Sequence, residues 1–188
     1  MITFLLTLLP TLPPRHVPLR PHREAHHVIY VDASFHNSVP TVAATFIPAT
    51  AKNLTAAVYT AAVVPAELAR LLSPDSTVLI NQMELLATLV AVRTFLPLML
   101  GTPSILFTDN TVSLSTLIHG YSSKPTLAAI ANDYYTLVAQ HQLDIWHEWV
   151  PSAANLADAP SRLDFTTLQC LGASRLDANL PKSIAMLS

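Results

Sequence analysis

Val28-Ile29-Tyr30-Val31-Asp32-Ala33-Ser34 decides the reading of this chain. β-Branched and aromatic residues run into an acidic one, the pattern of a buried strand that ends on a carboxylate. A carboxylate in such a seat is expensive unless it has a partner or a task. The pattern recurs. Glu84 lies inside the apolar run Ile80-Asn81-Gln82-Met83-Glu84-Leu85-Leu86-Ala87, and Asp109 closes Ser104-Ile105-Leu106-Phe107-Thr108-Asp109. A fourth acidic residue, Asp158, follows Asn155-Leu156-Ala157.

Outward from that strand, turn residues and prolines cut the chain into elements. His36-Asn37-Ser38 is a turn, Val39 to Ile47 a second strand stopped by Pro48, and Leu54 to Val64 a third stopped by Pro65. Short polar turns between three strands make an antiparallel meander. Pro65 to Thr77 is a connection with a helical turn at Ala66 to Leu71. Asn81 to Leu96 is the strongest helix, with Met83, Leu86, Leu89, Val90 and Phe95 as its core stripe. It is apolar almost all round and therefore central, and Glu84, Thr88 and Ala91 share its less apolar face.

Pro103 to Asp109 is a fourth strand, and Asn110 caps a short helix that Gly120 stops after His119. Another helix starts at Ser122-Ser123-Lys124-Pro125. Leu143 to Val150 alternates as a fifth strand, in which Trp146, His147 and Trp149 are read as packing residues rather than base-stacking ones. Asn155 caps a last short helix that carries Asp158, and Pro160 limits its length. The fold class is therefore α/β: a mixed five-stranded sheet, three strands in an antiparallel meander and the rest parallel, flanked by helices. Strands one and four are expected to be parallel neighbours, which sets Asp32 beside Asp109. Residues 1–27 read as a linker or the remnant of an upstream domain, 28–162 as the folded domain and 163–188 as a loosely ordered tail. His22, His26 and His27 stand close together, but no helical period supports a metal site there, and they fall to the linker.

The totals narrow the function. Of 188 residues, 12% are charged and 51% hydrophobic, so the chain buries much of itself or sits against a neighbouring domain. A net charge of −2 argues against tight binding of nucleic acid by this chain alone. One cysteine, Cys170, excludes an internal disulfide and a zinc site built on paired cysteines. No apolar run reaches a membrane-spanning length, and Ile2 to Leu9 lacks the basic start of a secretory signal. An intracellular place, cytoplasm or nucleus, is expected, with no membrane partner and no secretion.

Carboxylates gathered at strand ends repel one another, and hard divalent cations with oxygen ligands relieve the repulsion. Two such ions about 4 Å apart activate water and stabilise the leaving oxygen in phosphodiester cleavage. At this point the chain resembles the ribonuclease H domain of reverse transcriptases, in the form found in DIRS-like and related retroelements. "VIYVDAS", "INQMELLATLVAVRTF", "ILFTDNT" and "WVPSAANLADAPSR" carry the resemblance, in the family's order, over about residues 28–162.

The resemblance implies a four-carboxylate catalytic and metal site at Asp32, Glu84, Asp109 and Asp158. It implies two Mg2+ ions, with Mn2+ as a substitute, and hydrolysis of the RNA strand of an RNA–DNA hybrid. A polymerase domain of the reverse transcriptase, in cis or in trans, is the implied partner. Ser34, Asn110 and Arg162, beside the acidic positions, are candidate contacts to the nucleic-acid backbone. Two departures bear on activity. The loop Pro151-Ser152-Ala153-Ala154 has no histidine where cellular members carry one, and the basic, Trp-bearing helical handle for the hybrid is missing. An alternative is a non-catalytic ribonuclease H-like module that supports a polymerase. Another nuclease or an integrase on this fold is a weaker reading, because such enzymes carry a different acidic spacing.

Overall fold

Strands β1 (His27–His36), β2 (Val39–Ile47) and β3 (Val58–Val63) form the expected meander, β1 antiparallel to β2 and β2 to β3. A computed structural model of the chain describes residues 25–36, 39–73 and 79–184. The proposed linker up to residue 24, the turn residues Asn37 and Ser38, and 74–78 of the connection after β3 lie outside these. A 3-10 turn at Leu54–Ala56 precedes β3, held by Asn53, whose side chain accepts from the Thr55 amide, so the third strand starts later than its composition suggests. Helices α1 (Ala66–Leu72) and α2 (Ile80–Met99) follow, then β4 (Ser104–Thr108), α3 (Thr111–His119), α4 (Pro125–Gln140) and β5 (Ile145–Trp149). Asn110 caps α3 through the Ser113 amide, and Gly120 ends it with φ of 62°, a left-handed turn suited to glycine.

After β5 come α5 (Asp158–Ser161), α6 (Thr166–Cys170) and β6 (Ser174–Arg175), and the sheet runs in the order β5-β4-β1-β2-β3-β6, with β4 parallel to β1 and β5 parallel to β4. One face, carrying Ile29, Val31, Ala33, Val42, Ala44, Phe46 and Leu106, packs on α2, and α4 covers α2 from outside. That layer is the main core. Helix α2 is long and apolar enough to cross a membrane by length and composition, but most of it is buried in this core. It also runs through Pro97, three residues past the expected end. Proline has no N–H to give the Arg93 carbonyl one turn back, and Asn179 Nδ2 faces that carbonyl at 3.4 Å instead.

Asn179 belongs to the segment expected to be loose, and this expectation is corrected. Residues after Arg162 form α6 (Thr166–Cys170) and β6 (Ser174–Arg175), a sixth strand parallel to β3. Arg175 lies over the Phe165 ring at 4.5 Å, and Phe165 packs against Tyr59. Further on, Arg93 Nε donates to the Asn179 carbonyl and Ile184 is fully buried in the core. The period is too short to read because each piece spans a few residues and is held by contacts from afar.

The two tryptophans are a second difference. Trp146 is 67% and Trp149 47% exposed, whereas His147 is tucked in and bonds Tyr134 Oη at 2.7 Å. As the edge strand, β5 has a neighbour on one side only, so the packing expected of its tryptophans is not supplied. His27, read as linker, is the first residue of β1, buried and accepting from the Ala49 amide.

The anchoring of the C-terminal segment can be measured. Leu168 in α6 is 2% exposed, so Leu168→Ala should lower the unfolding free energy by about 2–4 kcal/mol in chemical denaturation. A change within 0.5 kcal/mol would restore the loose tail.

Candidate metal centre

The parallel ladder between β1 and β4 ends at the pair Tyr30–Phe107. Two residues further along each strand stand Asp32 and Asp109, so the register itself sets one aspartate opposite the other. Glu84 comes from α2, one turn into the helix, which packs across β1 and β2. One carboxylate oxygen from each of Asp32, Glu84 and Asp109 lies within 4.8 Å of the others. Asp32 and Glu84 are buried, Asp109 half-buried.

Small amides fix this geometry, and the sequence shows them as caps rather than as cross-links. Asn155, expected to be a helix cap, is buried; its Nδ2 donates to the Val31 carbonyl at 3.0 Å and faces Asp32 Oδ1 at 3.4 Å. It thereby hangs the loop before α5 (Asp158–Ser161) on β1, and α5 itself begins after Ala157 without a side-chain cap. Asn81 Oδ1 accepts from Asn110 Nδ2 at 3.0 Å, which ties the start of α2 to the end of β4. The only signal for either is an asparagine standing in an apolar run, and a cap explains that equally well.

The remaining sequence candidates are placed as follows. Asp158 is not one of the three converging carboxylates; its Oδ1 accepts from Arg162 Nη2 at 2.9 Å. Ser34 Oγ donates to the Ser161 carbonyl at 2.6 Å, and Asn110 is engaged as the α3 cap. Arg162 is exposed at the rim.

Burial pushes Asp32 up to about 7, with Asp109 and Asp158 adding to the rise and the Ser161 hydroxyl and Arg162 opposing it. Burial likewise pushes Glu84 up to about 9, helped by the charges of Asp32, Asp109 and Asp158 against the Ala33 amide. Like charges about 4.8 Å apart repel by roughly 3–4 kcal/mol at an effective dielectric near 20. Glu84 Oε2 is buried with no hydrogen-bond partner among the described residues. An unsatisfied oxygen, three converging carboxylates and raised proton affinities fit a hard divalent cation with oxygen ligands, and Asp32, Glu84 and Asp109 would hold it.

The pH dependence of stability tests this. Both carboxyls bind protons more tightly folded than at their ordinary values of 3.8 and 4.5, so the stabilisation from their protonated forms is lost as pH rises through about 7 and about 9. His147, lowered to about 4 by burial, and His27, lowered the same way, act in the opposite sense, but only below about 6.5. Asp32 contributes up to about pH 7, and between pH 7 and 9 Glu84 dominates. Melting temperature in chelator should fall across that window, with a slope of up to about 1.4 kcal/mol per pH unit for each proton released. Glu84→Gln should flatten the fall, and Mg2+ or Mn2+ should reverse it in the wild type. A flat or rising wild-type profile in chelator would count against the cluster.

Comparison with known proteins places the fold. No family model and no curated protein sequence matches the chain. Among solved structures, the chain is similar to the N-terminal RNase H domain of Rv2228c from Mycobacterium tuberculosis, solved as a fusion with maltose-binding protein. The TM-score is 0.56 at 17% identity, over 78% of this chain and 98% of that one. It is also similar to RNase H1 from the halophilic archaeon Halobacterium salinarum, with a TM-score of 0.51 at 15% identity, over 74% and 98% of the two chains. The fold is ribonuclease H-like.

Proposed function

We propose that this chain is a metal-dependent endonuclease that hydrolyses the RNA strand of RNA–DNA hybrids as part of a retroelement reverse transcriptase. The observation that carries the reading is the convergence of Asp32, Glu84 and Asp109 where the parallel β1–β4 ladder ends and the helix α2 crosses it. The four quoted sequence motifs, in family order, support the substrate class and the retroelement setting.

Divalent cations, when bound, supply Lewis-acid chemistry: they activate water and stabilise the charge that develops at the scissile phosphate. The chain's own residues prepare the place. Asp32, within β1, and Asp109, just past the end of β4, present carboxylates from neighbouring strands, and Asn155 orients Asp32. Glu84 reaches in from a helix whose neighbouring residues Met83, Leu85 and Ala87 are buried, so water does not screen its charge. Asn81 and Asn110 keep the helix start and the strand end in register. Arg162 stands exposed at the rim, suited to a backbone phosphate.

Grip on the substrate has to come from elsewhere. Ten lysines and arginines in 188 residues supply few phosphate contacts, so a polymerase domain in cis or in trans would hold the hybrid. The same scarcity, with the exposed Trp146 and Trp149, favours the second reading, a non-catalytic module docked on a polymerase.

Asp109→Asn separates the two. Removing one of the mutually repelling charges should leave the melting temperature in chelator unchanged or raised, while Mg2+-dependent cleavage of a labelled hybrid falls by orders of magnitude. A lowered melting temperature, together with a wild type that shows no Mg2+-dependent thermal shift, would favour the non-catalytic module. Hybrid binding by the isolated chain should collapse by about 200 mM salt in fluorescence anisotropy, through counterion release. Tight binding at that salt would remove the need for a partner.

A further inference from the structure

Asp158 is near the cluster yet outside it. Its charge acts on both Asp32 and Glu84, but its Oδ1 is paired with Arg162 Nη2 at 2.9 Å, one helical turn on. The backbone that carries it is pinned to the sheet. Ser34 Oγ donates to the Ser161 carbonyl, Thr45 Oγ1 to the Leu156 carbonyl, and Asn155 Nδ2 to the Val31 carbonyl. What separates Asp158 from the other carboxylates is therefore its side-chain torsion and its partner, both open to change at the surface. Asp158 is 36% and Arg162 66% exposed. An exposed pair of this spacing favours the closed form by a factor of only about two to five.

We propose that Arg162 is a latch on Asp158. In the protein free of nucleic acid it holds the carboxylate off the cation site, and a backbone phosphate takes the place of Asp158 on the guanidinium. A phosphate, like the carboxylate, offers the guanidinium an anionic oxygen acceptor, so the exchange replaces one charge-assisted hydrogen bond with another. Asp158, released, turns to the cluster, and the fourth acidic ligand is supplied only when substrate is in place. The proposal rests on the reading of Asp32, Glu84 and Asp109 as a metal site.

Calorimetric titration of Mn2+ into the nucleic-acid-free chain tests it with four proteins: wild type, Arg162→Gln, Asp158→Asn and the double variant. Arg162→Gln should bind Mn2+ about two- to five-fold more tightly than wild type, the factor by which the pair had held Asp158 away. Asp158→Asn should bind Mn2+ about two- to five-fold more weakly than wild type, and the double variant should lose the gain. A gain that survives in the double variant would show that Arg162 acts only as a nearby positive charge, and the latch would be wrong. Equal affinity of Arg162→Gln and wild type would overturn it too. Failure of all four to take up Mn2+ would instead remove the metal site on which the latch depends. With an RNA–DNA hybrid present and Ca2+ as a slow substitute, the wild type should gain Ca2+ affinity and Asp158→Asn should not. Equal gains would overturn the exchange.

Discussion

Three carboxylates held within 4.8 Å of one another, two of them buried, set the terms for the rest of the molecule. Their repulsion and lost hydration work against folding, and the scaffold has to oppose both. The opposition comes from the layer beneath. Residues Ile29, Val31 and Ala33 of β1 are buried on α2, with Val42, Ala44 and Phe46 of β2 beside them. Because side chains alternate along a strand, the apolar set that seats α2 also fixes which way Asp32 faces. A slip of one residue in β1 would expose the core and turn Asp32 away at the same time. Stability and site geometry share one register.

Much of this was legible in the sequence, for a physical reason. β-Branched runs that end in prolines and polar turns leave few choices of strand, and an apolar stretch as long as α2 has to be central. A crossover between parallel strands then makes β1 and β4 neighbours, and two strand-end aspartates meet. The features that escaped depend on contacts between distant residues. Nothing near Ser174 announces a strand, since β6 exists only because the edge of β3 accepts it through Ser174 and Leu176 amides. Asn155 looks like a cap because caps and cross-links use the same amide, and only the fold shows it reaching Val31. Pro97 looks like a helix end because the donor that serves the Arg93 carbonyl in its place, Asn179, is more than eighty residues away in sequence.

The four acidic positions are not equivalent in how they are held. Asp32 and Glu84 sit on long elements whose places are fixed by the core, and Asp109 directly follows the paired strand β4, so none can leave without disturbing the packing. Asp158 sits at the start of a four-residue helix whose Pro160 and Ser161 are buried and whose backbone is hydrogen-bonded to the sheet, while Asp158 itself is part-exposed. A ligand on a rigid element is always present; one on a short surface helix can be given or withheld. The motif around Asp158 is as plain in the sequence as the other three, but motifs record identity and spacing, not the rotamer.

The charge economy of α2 follows the same logic. In a helix of 20 residues, Glu84 and Arg93 are the two charged side chains. Glu84 faces the cluster, and Arg93 binds the carbonyl and side chain of Asn179, which returns a donor to the carbonyl that Pro97 leaves open. Each charge stands where a specific partner is, and the rest of the helix is free to be apolar on every side. That is why the chain as a whole carries so few charges: its longest helix lies between the sheet, α4 and the C-terminal segment, with little surface of its own to solvate. A helix so enclosed holds Glu84 in one place. It also links the C-terminal segment to the cluster through a single rigid body, since Arg93 and Glu84 sit on one unbroken run of backbone.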